Sequence, residues 1–260
     1  MNLHLDRLVG APVSVEELKC KPGRRRTLRA TGSKRTAIVK IYESQRAPLV
    51  AARVRSLSAG PPEPSTPEVL HLDLERRLVV LSEVHGTPLR EAILAGDLAA
   101  CAGAGRALAG WHRAWRNATP TGLRPHTMQD EERILVERSE AAPPVIAAAV
   151  QALLPSLRGD WACTTVVHRD LYEEQVLLGD RVGLIDLDDV ALGPPELDLG
   201  NLIAHVDLLE RRSGKDLRAP TEALLDGYGP DALDAALLDR CRRLALLRLA
   251  CIHALPELVP

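Results

Sequence analysis

The chain has 260 residues, 26% charged and 46% hydrophobic, with a formal net charge of −2. This is an ordinary globular composition, long enough for one large domain or two lobes with real cores. The charge balance argues against a nucleic-acid or membrane-surface partner.

The N-terminal stretch Met1 to Asp6 lacks a basic segment followed by an apolar one, so no signal peptide is expected. No apolar run reaches the roughly 18 residues of a membrane span. Cys20, Cys101, Cys163, Cys241 and Cys251 form no CxxC pair and are odd in number. They suit the reduced thiols of a cytoplasmic protein better than a zinc site or a disulfide framework. With Phe absent, Leu, Ala and Val must fill the core.

Residues 1 to 84 read as strands and turns with one short helix. Val13 to Lys19 and Arg26 to Thr31 flank the turn-forming, basic stretch Cys20 to Arg25. Thr36 to Tyr42 (TAIVKIY) is a β-rich apolar run with Lys40 inside it. Ala47 to Leu57 fits a helix, and Ser58 to Pro67, with four prolines, a loop. Arg77 to Val84 reads as another strand, ending at His85-Gly86-Thr87-Pro88.

The pattern then turns helical. In Asp97 to Asn117, Leu108, Trp111 and Trp115 share one face at i, i+3, i+7 spacing and are expected in the core. Further helices are expected at 129–140, 144–154, 196–211, 221–227 and 231–254, interrupted by short strands within 164–190. Arg240, Arg242, Arg243 and Arg248 on the last helix read as a solvated face. The fold class is therefore α+β: a β-rich lobe over 1–84, a linker near 83–88, and a larger helical lobe over 85–260. Ligands favour such lobe interfaces.

Chemistry concentrates in His168-Arg169-Asp170-Leu171-Tyr172-Glu173-Glu174-Gln175, followed by Asp186-Leu187-Asp188-Asp189. One carboxylate to orient a nucleophile, and a carboxylate plus an amide oxygen to hold magnesium, form the inventory of metal-assisted phosphoryl transfer. Gln175 to Leu178 and Arg181 to Ile185 are apolar runs separated by Gly179-Asp180, which suits a two-residue hairpin turn. Pairing Leu178 with Arg181 sets Gln175 opposite Leu184 and returns Asp186 beside Gln175. Asp170 leads into the same hairpin end.

These residues resemble a known family. HRDLYEEQVLL followed by LIDLDDVALGPPELDLGN is similar to the catalytic and metal segments of the aminoglycoside phosphotransferase and choline kinase-like superfamily. TAIVKIY resembles its lysine strand, RRLVVLSEVHGTPL its hinge, and GRALAGWHRA its first long helix of the second lobe. The resemblance implies a protein-kinase-like two-lobed fold, with a small antiparallel β N-lobe and a larger, mainly helical C-lobe. It implies ATP and Mg2+ as cofactors and a hydroxylated small molecule as partner. Asp170 would be the catalytic aspartate, Asp186 and Gln175 the metal ligands, and Lys40 the contact to the α/β-phosphates. The backbone of Ser82, Glu83 and Val84 would meet adenine. His168, Arg169, Glu173, Glu174, Asp188 and Asp198 surround these as substrate-contacting or supporting residues. Within that set, His168 would hold the loop and Asp198 would accept backbone N–H bonds at a helix start.

Gln175 stands where the family usually has Asn, and Arg169 where it commonly has Gly. Residues 46–59 contain no acid to pair with Lys40; Arg53 and Arg55 occupy that helix. No glycine-rich phosphate loop is present, and the basic run Lys21 to Arg26 takes its place, either contacting phosphate or solvated. Leu197 follows Asp186 by eleven positions, too few for the activation segment of a protein kinase. Three readings remain open: a small-molecule O-kinase, a pseudokinase-like nucleotide-binding module, and a metal-dependent phosphohydrolase using His168, Asp170, Asp186 and Asp188. Glu173 and Glu174 are equally compatible with a cationic substrate and with a charged surface loop. Asp207, Glu210 and Asp226 are substrate-pocket candidates by location alone.

Overall fold

A short helix, α1 (Leu5–Val9), precedes the strands β1 (Ser14–Lys21), β2 (Arg25–Thr31) and β3 (Thr36–Tyr42), the helix α2 (Ala47–Ser56), and the strands β4 (Val69–Asp73) and β5 (Leu78–Ser82). The structure, a computed structural model, describes residues 5–57, 60, 63–116, 120 and 122–260. The five strands form one antiparallel sheet in the order β1-β2-β3-β5-β4.

Side-chain alternation along β3 divides its residues between two environments. Ala37 and Val39 join Leu5 and Val9 of α1, Leu28 and Ala30 of β2, and Leu78 and Val80 of β5 in one core. Ile38, Lys40 and Tyr42 take the opposite face, toward α2 and the cleft. The apolar run thus delivers a single lysine to the cleft.

Both strands of the first hairpin run further than the sequence suggests. Lys21 pairs with Arg25 across Pro22 to Arg24, where Gly23 at φ +69° reverses the chain within three residues. Strand β4 was not foreseen. Its inward side chains are only partly buried, so its sequence lacks a clean alternation. Residues 58, 59, 61 and 62 of the expected proline-rich loop lie outside the described residues, as do Met1 to His4 and the expected helix end at Asn117.

The remainder comprises β6 (Thr87–Pro88), α3 (Leu89–Ala95), α4 (Leu98–Ala114), α5 (Met128–Glu140), α6 (Pro144–Leu157), β7 (Thr165–Val167), β8 (Val176–Leu178), β9 (Gly183–Leu184) and β10 (Ala191–Gly193), then α7 (Pro195–Ser213), α8 (Arg218–Tyr228) and α9 (Ala235–His253). Local signals place the helix starts. Asp97 caps α4 through Ala100 N–H, Thr127 and Asp130 form a capping box on α5, and Asp234 caps α9. Leu108, Trp111 and Trp115 are all buried as their spacing predicts, and burying each stabilises the fold by about 2 kcal/mol. Gly200 lets α7 and α9 touch, since a Cβ there would meet the Arg242 backbone nitrogen at 2.7 Å.

Two expectations are corrected. The hairpin pairs Val176 with Leu184 and Leu177 with Gly183, one residue out of the expected register. Gly179 is not among the glycines with positive φ, so the two-residue turn does not form. The far edge of β9 is instead engaged by Ser65, which donates to Val182 O and accepts from Leu184 N, both at 2.8 Å. That contact comes from 117 positions earlier and is invisible to local turn chemistry. Second, the last helix does not present a uniformly solvated arginine face. Arg242 forks onto Asp207, and Arg248 reaches Glu131 at 2.7 Å and Asn201 in the interior. Among the described residues no helix is long and apolar enough to cross a membrane.

Candidate active site

The loop between β7 and β8 carries His168, Arg169 and Asp170, and it is held from beneath. Asp198, in the first turn of α7, accepts the backbone N–H groups of His168 and Arg169, each at 2.7 Å. It thus caps the loop rather than its own helix. Its Oδ2 also meets His112 Nε2 at 3.1 Å. A carboxylate only accepts, so Nε2 carries the proton and His112 Nδ1 accepts from the Tyr228 hydroxyl at 3.0 Å. Asp198 and His112 are both buried, so this chain ties the loop to α4, α7 and α8. His168, fully buried, donates from Nε2 to Ile185 O at 2.8 Å and fastens the loop to the segment before Asp186. Asn201 adds a bond to Leu171 O at 2.6 Å.

Two residues of the site hold left-handed backbone: Arg169 at φ +72° and Asp186 at φ +63°. Such conformations cost a non-glycine residue roughly 1 kcal/mol or more and persist only where the surroundings impose them. At Asp186 the backbone turns between β9 and the single-turn helix Leu187–Asp189.

Asp170 and Asp186 line one small cavity under the β1–β2 turn, with Lys21, Arg25 and Tyr42. A second cavity of about 530 Å3 runs from there along the sheet. Lys40, Gln175 and Asp186 line its inner end; Ser82, Glu83 and Val84 line its wall. The Ser82 N–H is committed to Glu68 O at 2.9 Å, and the Glu83 carboxylate to Arg29 at 2.9 Å.

The carboxylates here are strongly paired. Lys40 Nζ donates to Asp186 Oδ1 at 2.7 Å and to Asp188 Oδ1 at 2.6 Å. Arg25 donates to Asp186 Oδ2 at 2.6 Å and also to Asp188, whose Oδ2 accepts the Tyr42 hydroxyl at 2.8 Å. Burial pushes Asp186 up, but the charge of Lys40 and the bonds from Arg25 outweigh it and hold the carboxyl well below its usual range. Asp170 differs. Burial raises its carboxyl, and only the charges of Arg248 and His168 oppose that.

Gln175 is 2% exposed, and neither its amide oxygen nor its amide nitrogen has a partner. Of the remaining candidates, Glu174 is exposed and paired with Arg90 at 2.9 Å. Glu173 is 5% exposed, its Oε2 is unpartnered, and burial raises its carboxyl.

A third cavity, about 380 Å3, opens beside Asp170. On α7 it is faced by His205, Leu208, Leu209 and Arg212, which share one helical stripe at i, i+3, i+4, i+7. Asp207 and Glu210 do not line it. Asp207 pairs with Arg242, and Glu210 accepts Leu217 N–H at 2.8 Å. Asp226 is exposed on α8 and also outside it. The helices after residue 200 thus line this cavity, through residues other than those three.

Sequence reasoning missed Tyr42 and Arg248 as members of the site, and left Arg25 within a basic run that either contacts phosphate or is solvated. The antiparallel register that sets Arg25 opposite Tyr42, both on the cleft face, could have indicated Tyr42. Arg248 carried no signal, because its contacts come from α5 and α7.

The model of the phosphotransferase enzyme family (APH) matches residues 23–244. No curated protein matches the chain in sequence. Among solved structures, it resembles aminoglycoside phosphotransferase APH(2'')-Ib in its ADP-bound form, with a TM-score of 0.65, 14% identity, and 98% of this chain and 95% of that chain covered. Spectinomycin phosphotransferase APH(9)-Ia, in complex with ADP and spectinomycin, gives 0.64 and 16% identity over 96% of this chain and 85% of that one. Choline kinase from Cryptosporidium parvum Iowa II gives 0.63 and 9% identity over 92% and 82%. At these identities the likeness establishes the protein-kinase-like fold.

Proposed function

The chain belongs to the phosphotransferase enzyme family, and on that premise we propose that it moves the γ-phosphate of ATP to a hydroxyl of a small molecule, with Mg2+ as the metal. The observation that carries this reading is Gln175, whose buried amide is unpartnered on both atoms and lines the same cavity as Asp186 and Lys40. A buried polar group left unmade costs about 1–3 kcal/mol, which a cation at the amide oxygen offsets. The Gln175 amide oxygen and the Asp186 carboxylate would hold magnesium, which takes one or two protein oxygens and completes its shell with water and phosphate. When bound, the metal neutralises charge on the transferring phosphate.

The protein's own groups do the rest. Lys40 and Arg25, now engaged by Asp186 and Asp188, are the cations positioned for ATP phosphates. The backbone of Ser82, Glu83 and Val84 forms the wall for adenine. Asp170 orients the substrate hydroxyl and receives its proton; the burial that raises its carboxyl makes it a better acceptor. His168, Arg169 and Asp198 hold the loop that presents it.

Asp188 supplies the acid that α2 lacks, which removes the main reason to read the chain as a pseudokinase. A phosphohydrolase using His168 and Asp188 is not favoured, since the first is bound to Ile185 O and the second to Lys40 and Tyr42.

The test is ADP release by the purified chain over a panel of hydroxylated small molecules. Turnover should require Mg2+ and vanish in Asp170→Ala, while ATP binding by that variant persists. Near-normal turnover by Asp170→Ala, or phosphate release from monoesters without ATP, would overturn the reading.

A further inference from the structure

Resting on the phosphotransferase reading, we infer that the substrate carries an anionic group, a carboxylate or a phosphate, in addition to the hydroxyl that Asp170 addresses. The argument comes from the charges around the cavity beside Asp170. Its basic lining residues are Lys19, Lys21, Arg90, Arg212 and Arg248; its acidic ones are Asp170, Glu173 and Glu174.

The acids are largely committed. Asp170 faces the reacting hydroxyl. Glu174 is neutralised by Arg90 at 2.9 Å. Glu173 is buried without a partner for Oε2, an environment that favours its uncharged form. An acidic cradle for an amine is therefore missing.

Some of the cations are committed too. Arg248 is satisfied by Glu131 and Asn201. Lys19 also lines the cavity along the sheet, and Lys21 the space next to Asp186, so both are within reach of ATP phosphates. Arg212 lines neither of those spaces. Among the described residues it forms no ion pair with a carboxylate; it donates to His253 Nδ1 at 3.2 Å, and its charge reaches the buried Glu173 carboxyl only at longer range. That leaves a guanidinium with several unused donors on the far wall, in the fork geometry that suits a carboxylate or phosphate.

At three neighbouring groups, positive charges add to a shift that burial dominates, although at Lys21 the carboxylates of Asp186 and Asp170 act against it. Burial together with Arg248, His253 and Arg212 lowers His205 to about 3. Burial and Arg212 lower His253. Burial, Arg25 and Lys19 lower Lys21. An amine placed here meets like charge, whereas an anion relieves it. A volume of about 380 Å3 accommodates one sugar-sized molecule.

Four sugars of one size separate the possibilities: glucose, glucosamine, glucuronate and glucose 6-phosphate. Their binding to the full chain loaded with Mg·ADP is measured by calorimetry, so that the nucleotide site is occupied throughout. At least one anionic sugar should bind about tenfold more tightly than glucose, and glucosamine no more tightly. The tighter of the two anions distinguishes carboxylate from phosphate. Arg212 is exposed, so its variants should fold. Arg212→Ala should abolish the preference, and Arg212→Glu should reverse it toward glucosamine. Tighter binding of glucosamine to the wild-type protein, equal affinity for all four with absence of binding included, or an anion preference that survives in Arg212→Glu would each overturn the inference. None of these outcomes depends on turnover, so the phosphotransferase reading fails separately, by Asp170→Ala.

Discussion

Lys40 Nζ lies 2.6 Å from Asp188 Oδ1, and each of the two side chains is 5% exposed. The usual polarity between the lysine strand and the adjoining helix is thereby inverted. Helix α2 brings no acid to Lys40; it brings Arg53 to the Asp188 carbonyl, and Arg46, just before the helix, reaches Asp189 at 2.8 Å. The acid comes from the single-turn helix Leu187–Asp189 instead. Removing one member of a buried pair strands the other charge, so Asp188→Leu should cost about 3–5 kcal/mol. Replacing both, as Lys40→Met with Asp188→Leu, should cost markedly less than the sum of the single changes. Denaturant unfolding of the four proteins in a double-mutant cycle measures the difference.

Gln175→Leu should separate stability from activity. Leucine is close in size and removes two unpartnered buried atoms, so the fold should be unchanged or stabilised by about 1 kcal/mol. Mg2+-dependent ATP turnover should fall about a hundredfold, a loss of about 2.7 kcal/mol of transition-state stabilisation. Gln175→Asn should retain most of the activity. Thermal unfolding and turnover on the same samples decide the matter, and a Leu variant with full activity would remove Gln175 from the metal site.

Arg169 holds φ +72° where a glycine would be relaxed. Its N–H remains bonded to Asp198 whatever the side chain. Arg169→Gly should therefore stabilise the protein by about 0.5–1 kcal/mol. The melting temperature reports this, and a decrease would mean that the Arg169 side chain contributes more than the strain costs.

His205 stacks on Tyr172 at 4.8 Å and is lowered by burial to about 3. The unfolded chain binds a proton at this histidine near pH 6.5, and the folded chain only near pH 3. As pH falls from 6.5 toward 3 the unfolded state gains protons first, and stability is lost by up to about 1.4 kcal/mol per pH unit. Above pH 6.5 the contribution is constant. His205→Gln should flatten this part of the stability–pH curve. Parallel slopes for the two proteins between pH 6.5 and 5 would show that His205 titrates normally.

Much of this protein was legible along the chain. The strand Thr36–Tyr42, the helix beginning at Ala47 and the tryptophan face of α4 rest on periodicity and turn residues, whereas Asp170, Gln175 and Asp186 line adjoining cavities through a hairpin register other than the expected one. Periodicity and turn residues act over a few positions and survive without tertiary context. The hairpin register did not follow from its turn, because Ser65 engages the other edge of β9 from 117 positions away. Nor could the chain say that the acid for Lys40 would be Asp188, 148 positions distant, or that the charge of Arg248 would act on Asp170. It also left Glu173 and Glu174 open between a substrate contact and a charged surface loop, without showing that one would be buried and the other paired with Arg90. Local sequence determined which groups the site contains. Only folding decided which charges remain unpaired, since pairing depends on distances between elements far apart in the chain, and burial determines how much each charge is worth.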